Sequence, residues 1–101
     1  MEIIKYLVSL MDDELHDAKC SAKDALIYKA EYPTLAQVLF DRSNDEMRHF
    51  SMIHNEAQKV IADWRKAHGD PPPEMLALYN YMHERHVEKA NEVKNYQSQY
   101  R

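Results

Sequence analysis

Apolar residues along this chain recur at steps of three, four and seven, the spacing of one face of an α-helix, and no segment alternates as a half-buried strand would. Pro33 and the run Pro71-Pro72-Pro73 punctuate the pattern and divide it into three segments. The spacing predicts helices over about residues 3–30, 34–66 and 73–98. Proline suits a first helical turn at Pro33, although Thr34-Leu35-Ala36-Gln37 also reads as a capping box. Gly69, following His68, suits a helix exit with a left-handed cap. The fold class is therefore all-α: a long antiparallel hairpin plus a third helix, in a single domain spanning residues 1–101.

The inner faces follow from the same spacing. Ile4, Leu7, Met11, Ala18, Ala22 and Ala25 form a stripe on the first helix, with Glu14 filling its gap. On the second, the stripe is Leu35, Leu39, Ile53, Ala57, Val60 and Trp64, and Glu46 and His49 fill the gap. The third shows Met75, Tyr79, Met82, Ala90, Val93 and Tyr100, interrupted by His86.

A carboxylate on a core seam needs a partner, a proton or a metal, because burying it alone costs several kcal/mol. Glu46 and His49 stand three residues apart on one helix, which sets carboxylate and imidazole side by side. In an antiparallel hairpin turning next to Glu31-Tyr32-Pro33, Glu14 comes level with both. The three residues are expected to meet inside the hairpin. On the third helix, the positions level with Glu46 and His49 are Val93 and Ala90, neither of which binds metal. His83-Glu84-Arg85-His86 is His-x-x-His, and its Glu84 points about 160° away from His86.

A helix Glu followed about thirty residues later by Glu-x-x-His on an antiparallel helix resembles half of the di-iron site of ferritin-like proteins such as rubrerythrins, bacterioferritins and encapsulated ferritins. The resemblance covers residues 8–61, about half the chain. It implies Glu14 as a terminal carboxylate, Glu46 as a bridging carboxylate and His49 as a nitrogen ligand. Iron is the implied metal, with manganese or zinc as alternatives, because hard carboxylate oxygens and imidazole suit these ions. The second Glu and second Glu-x-x-His of a full-length bundle are missing from this chain. The resemblance therefore implies two copies of the hairpin about a twofold axis, forming a four-helix bundle with a pair of ions at the homodimer interface. A ferroxidase or peroxidase-type oxidoreductase with an external electron donor follows from it. The competing reading is a metal-free helical scaffold or interaction module, in which Arg42 or Arg48 neutralises the buried carboxylates.

Composition narrows the remaining choices. The single glycine, Gly69, agrees with a nearly continuous helical chain. A formal net charge of −4 with both signs interspersed offers no nucleic-acid surface. One cysteine, Cys20, excludes an intrachain disulfide and a thiolate metal cluster, and reads as a small packing residue. Lys5 interrupts the apolar opening, so neither a signal peptide nor a membrane span is expected, and the protein reads as cytoplasmic. Neither a Gly-rich phosphate loop nor a Ser/His/Asp arrangement is evident. Of the other histidines, His54, His83 and His86 are expected to approach one another as ordinary interface or core residues, while His16 and His68 read as surface.

Overall fold

Each proline break becomes a helix start. The computed structural model describes residues 2–101 and contains, among them, helices α1 (Glu2–Tyr28), α2 (Pro33–His68) and α3 (Pro73–Tyr100). Pro33 and Pro73 occupy the first helical positions, where the absent N–H would have had no intrahelical partner. Tyr32, which precedes Pro33, is held out of the helical region at φ −132° and ψ 66°, as the proline ring requires. Tyr32 caps α2 without a side-chain hydrogen bond, so the Thr34 capping box does not form. α1 ends at Tyr28, a little before the expected Ala30, and Tyr32 N–H donates to Tyr28 O at 2.8 Å.

The α1–α2 hairpin is antiparallel and tightly packed. Its seam is made of small residues: Ala18, Ser21, Ala22 and Ala25 on α1 and Ala36, Ser43 and Ala57 on α2, all buried. Ser43 Oγ donates to Ala18 O at 2.7 Å and accepts from Gln97 Nε2 at 3.0 Å, so one hydroxyl joins all three helices. Leu15 and Phe40 supply the bulk beside this seam, and Tyr100 stacks on Phe40 with ring centroids 4.5 Å apart. The apolar stripe foresaw Met11, Ala18, Ala22, Ala25, Ala57 and Val93, all buried. It overreached at Leu35, which is 45% exposed, and passed over Ser21 and Ser43 because their side chains are polar.

α3 runs parallel to α1 and docks chiefly on it. The Lys19–Glu92 pair at 2.9 Å and the His86–Asp12 hydrogen bond at 2.7 Å fix that register. Between α2 and α3 the packing is sparse and depends on large side chains. The result is a rod of 56 × 18 × 18 Å with a radius of gyration of 16.3 Å, where about 13 Å is usual for a chain of this length. Its accessible surface of 6710 Å² likewise exceeds the roughly 6,000 Å² expected for this mass. The closed core lies where α1 and α2 meet near their connection, and towards the opposite end Ile4, Leu7, Ile61, Trp64 and Met75 remain half-buried. Among the described residues, no helix is long and apolar enough to cross a membrane.

Gly69 closes α2 by donating to Arg65 O at 2.8 Å. Its φ of 80° has the expected sign, but its ψ of −160° lies outside the left-handed helical well, in a region reserved for glycine. A Cβ built there meets nothing within 4 Å, so any cost of substitution comes from the backbone alone. Gly69→Ala is expected to destabilise the fold by about 1–3 kcal/mol, and Gly69→Asn equally, since asparagine relieves only the left-handed well. Urea unfolding of the three proteins checks this, and an Asn variant as stable as the parent would refute it.

Candidate functional site

Helical geometry decides which flank of the hairpin carries the candidate ligands. At about 100° per residue, Glu14 lies roughly 140–180° around α1 from Asp12, Lys19 and Lys23, the residues that meet α3. On α2, His49 is turned at least about 100° away from Phe50, His54 and Gln58, which also face α3. Glu14 and His49 therefore stand on the flank that α3 leaves uncovered.

The register brings these two together: His49 Nδ1 is 3.6 Å from Glu14 Oε2. Glu14's side chain is 26% exposed and His49's is 47% exposed, so they form the margin of the seam rather than its interior. Glu46 is buried inside it. Ser21 Oγ donates to Glu46 Oε1 at 2.9 Å, and Arg42 Nε lies 3.6 Å from the same oxygen. Burial pushes the Glu46 carboxyl above its ordinary value. The Ser21 hydrogen bond and the Arg42 charge oppose that shift, while Asp17 and Glu14 add to it.

The expectation that Glu14, Glu46 and His49 meet inside the hairpin is therefore corrected in part. Glu14 meets His49, whereas Glu46 is held level with Ser21, one turn deeper along α1 than Asp17. Among the described residues, no group of three His, Cys, Asp or Glu side chains is arranged to hold an ion within one chain. Of the two arginines weighed as partners, Arg42 lies beside the Glu46 carboxylate, while Arg48 pairs instead with Asp45 at 3.3 Å. Ser21 was not foreseen as a partner. Its signal was present in the sequence: it follows Glu14 by seven residues and so shares its face.

A second cluster lies between α2 and α3. Phe50, His54, His83, His86 and Val87 line a hollow of about 170 Å³, so the three histidines approach as the sequence implied. The His54 and His83 rings are 5.7 Å apart, and Phe50 meets the His86 ring edge-on at 5.8 Å. His86 is buried and its Nε2 is hydrogen-bonded to Asp12. Asp12 escaped the sequence reasoning because hairpin levels relate α1 to α2 and say nothing of α3. Cys20 is exposed rather than packed, with its Sγ 3.6 Å from His16 Nε2.

Burial, reinforced by the neighbouring His83 and His86, lowers the pKa of His54 below its ordinary 6.5. The unfolded chain then takes up the proton more readily than the folded one just below pH 6.5, so the contribution of His54 to stability is complete above that value and is lost as pH falls through it. Unfolding midpoints between pH 7.5 and 5.5 are expected to decline in the parent and to decline less steeply in His54→Phe, which keeps a ring beside Phe50. Identical slopes would show that His54 does not carry the effect.

Compared with family models, with curated proteins and with solved structures, the chain matches none.

Proposed function

We propose that this chain supplies half of a ferritin-like di-metal carboxylate centre, completed when two copies of the α1–α2 hairpin pair through the flank opposite α3. The observation that carries the proposal is the Glu14–His49 contact on that flank, with buried Glu46 one helical turn from His49. Two carboxylates and an imidazole make a donor set suited to iron or manganese. Among the described residues one chain brings no complete ligand set together, and a twofold axis beside the open flank would double the donors. A pair of iron ions held there would supply one-electron and two-electron chemistry toward oxygen or peroxide. The chain's own part is to present Glu14 and His49 at the interface, to hold Glu46 through Ser21 until it is needed, and to keep water from the seam.

A second reading is favoured by the Ser21–Glu46–Arg42 network, in which Glu46 already has a hydrogen bond and a counter-charge without any metal. On that reading the same hairpin dimerises as a metal-free interaction module.

The two readings separate when binding and stability are measured together. Under the metal proposal, sedimentation shows a homodimer, and anaerobic Fe(II) titration followed by air gives oxidation above background. Glu14→Ala or His49→Ala then weakens iron binding at least tenfold. A dimer with no saturable iron binding would sink the metal proposal and leave the interaction module.

Glu46→Gln is expected to stabilise the metal-free protein by about 0.5–2 kcal/mol at neutral pH, because it removes a buried charge while leaving an acceptor for Ser21. Since the Glu46 pKa is raised, that gain is expected to shrink as pH falls and the native carboxyl takes up its proton. Thermal unfolding at pH 7 and pH 4.5 measures it. A destabilised Gln variant at pH 7 would mean that the Arg42 pair outweighs the desolvation.

A further inference from the structure

The end of the rod away from the closed core contains a groove of about 380 Å³, within the size range of small-molecule sites. All three helices line it, and α2 and α3 pack only sparsely on each other along the rod. Ile4, Val8, Ile61, Trp64, Leu76 and Met82 line it, and none of them is fully buried. The apolar groups of all three helices thus face a space that the chain itself leaves open. This groove is on the α3 side of the hairpin, away from Glu14 and His49, so nothing about it rests on the metal proposal.

Charge at the groove selects among occupants. Lys5 and Arg65, on the α3-facing sides of α1 and α2, both border it in a protein of net charge −4. Among the described residues Lys5 pairs only with Glu2, at 3.8 Å, an exposed pair of little strength that an incoming anion can displace. Arg65 has no ion-pair partner among the described residues. Asp12 is the acidic residue in the lining, and its carboxylate is occupied by His86 at 2.7 Å. Gln58 and Tyr79 are likewise hydrogen-bonded to each other across the groove. Ser9 and Asn80 are the other polar residues of the lining, the rest of which is apolar, with two cations at its border. That combination fits a molecule with one carboxylate and an unbranched hydrocarbon body.

We propose that this groove binds a medium-chain carboxylate of the fatty-acid type, with the hydrocarbon laid between α2 and α3 and the carboxylate held by Arg65 and Lys5. A groove of this volume favours a medium chain over a long one.

Trp64, the single tryptophan, lines the groove and reports on its occupancy. Titrating the whole protein with decanoate below its micellar concentration is expected to change Trp64 emission saturably. Octanoate is expected to bind roughly fifteenfold more weakly, at about fourfold per methylene. Lys5→Gln and Arg65→Gln, both at exposed positions, are expected to weaken decanoate several-fold each while leaving 1-decanol unchanged and the helical circular dichroism intact. Absence of a saturable change with decanoate overturns the proposal. So does decanoate binding that both charge variants leave unaltered, or tighter binding of decyltrimethylammonium than of decanoate.

Discussion

The close approach of α1 and α2 is the constraint from which the rest of this structure follows. Alanine and serine at Ala18, Ser21, Ala22, Ala25, Ala36, Ser43 and Ala57 leave nothing bulky between the two backbones. Only at that separation can a side chain as short as Ser43 reach the Ala18 carbonyl, or Ser21 reach Glu46. The short reach fixes the register, because a slip along either helix would strand a buried hydroxyl or carboxylate. The same register sets Glu14 against His49. A seam of leucines would have bound the helices at a greater distance and tolerated several registers. Here polar groups of limited reach specify one.

A tight two-helix seam has a consequence for the third helix. Little apolar surface remains between α1 and α2 for α3 to enter, so α3 lies alongside the pair and reaches α2 mostly through rings and long side chains. Near the α1–α2 connection, Phe40, Val93 and Tyr100 fill the angle and the core closes. Toward the other end the available side chains leave the angle open, which produces both the histidine-lined hollow and the larger groove. The surface in excess of that expected for this mass is thus a property of how α1 and α2 pack.

How much of this was legible in the sequence depends on how local each determinant is. Helix number and ends were readable because Pro33, Gly69 and Pro73 act on their own backbone and immediate neighbours. The approach of His54 to His83 follows from counting residues away from a turn. Facing direction was harder. Apolar spacing put Leu35 inside and ignored Ser21 and Ser43, because in a seam this tight size matters more than polarity. Rotation of each helix about its axis placed His49 at the margin and Glu46 within, although a separation of three residues had made them look equivalent. Contacts between α1 and α3, such as Asp12 with His86, depend on a docking that no turn-based count constrains.

Glu46 is the residue least explained by packing. Its neighbours in the seam are alanines and serines, and an apolar or amide side chain there would avoid the desolvation that raises its pKa. Ser21 and Arg42 offset that penalty without removing it, since the carboxyl stays shifted upward with both in place. A buried carboxylate can serve specificity by forbidding other registers, yet Ser43 already does that work with a neutral hydroxyl. What the carboxylate adds beyond register is negative charge close to a flank that also carries Glu14 and His49. Concentrated negative charge of this kind is unfavourable for the isolated chain and favourable in the presence of a cation. Arg42 offsets that charge only in part within the chain, so the seam holds Glu46 at a cost that packing alone does not explain.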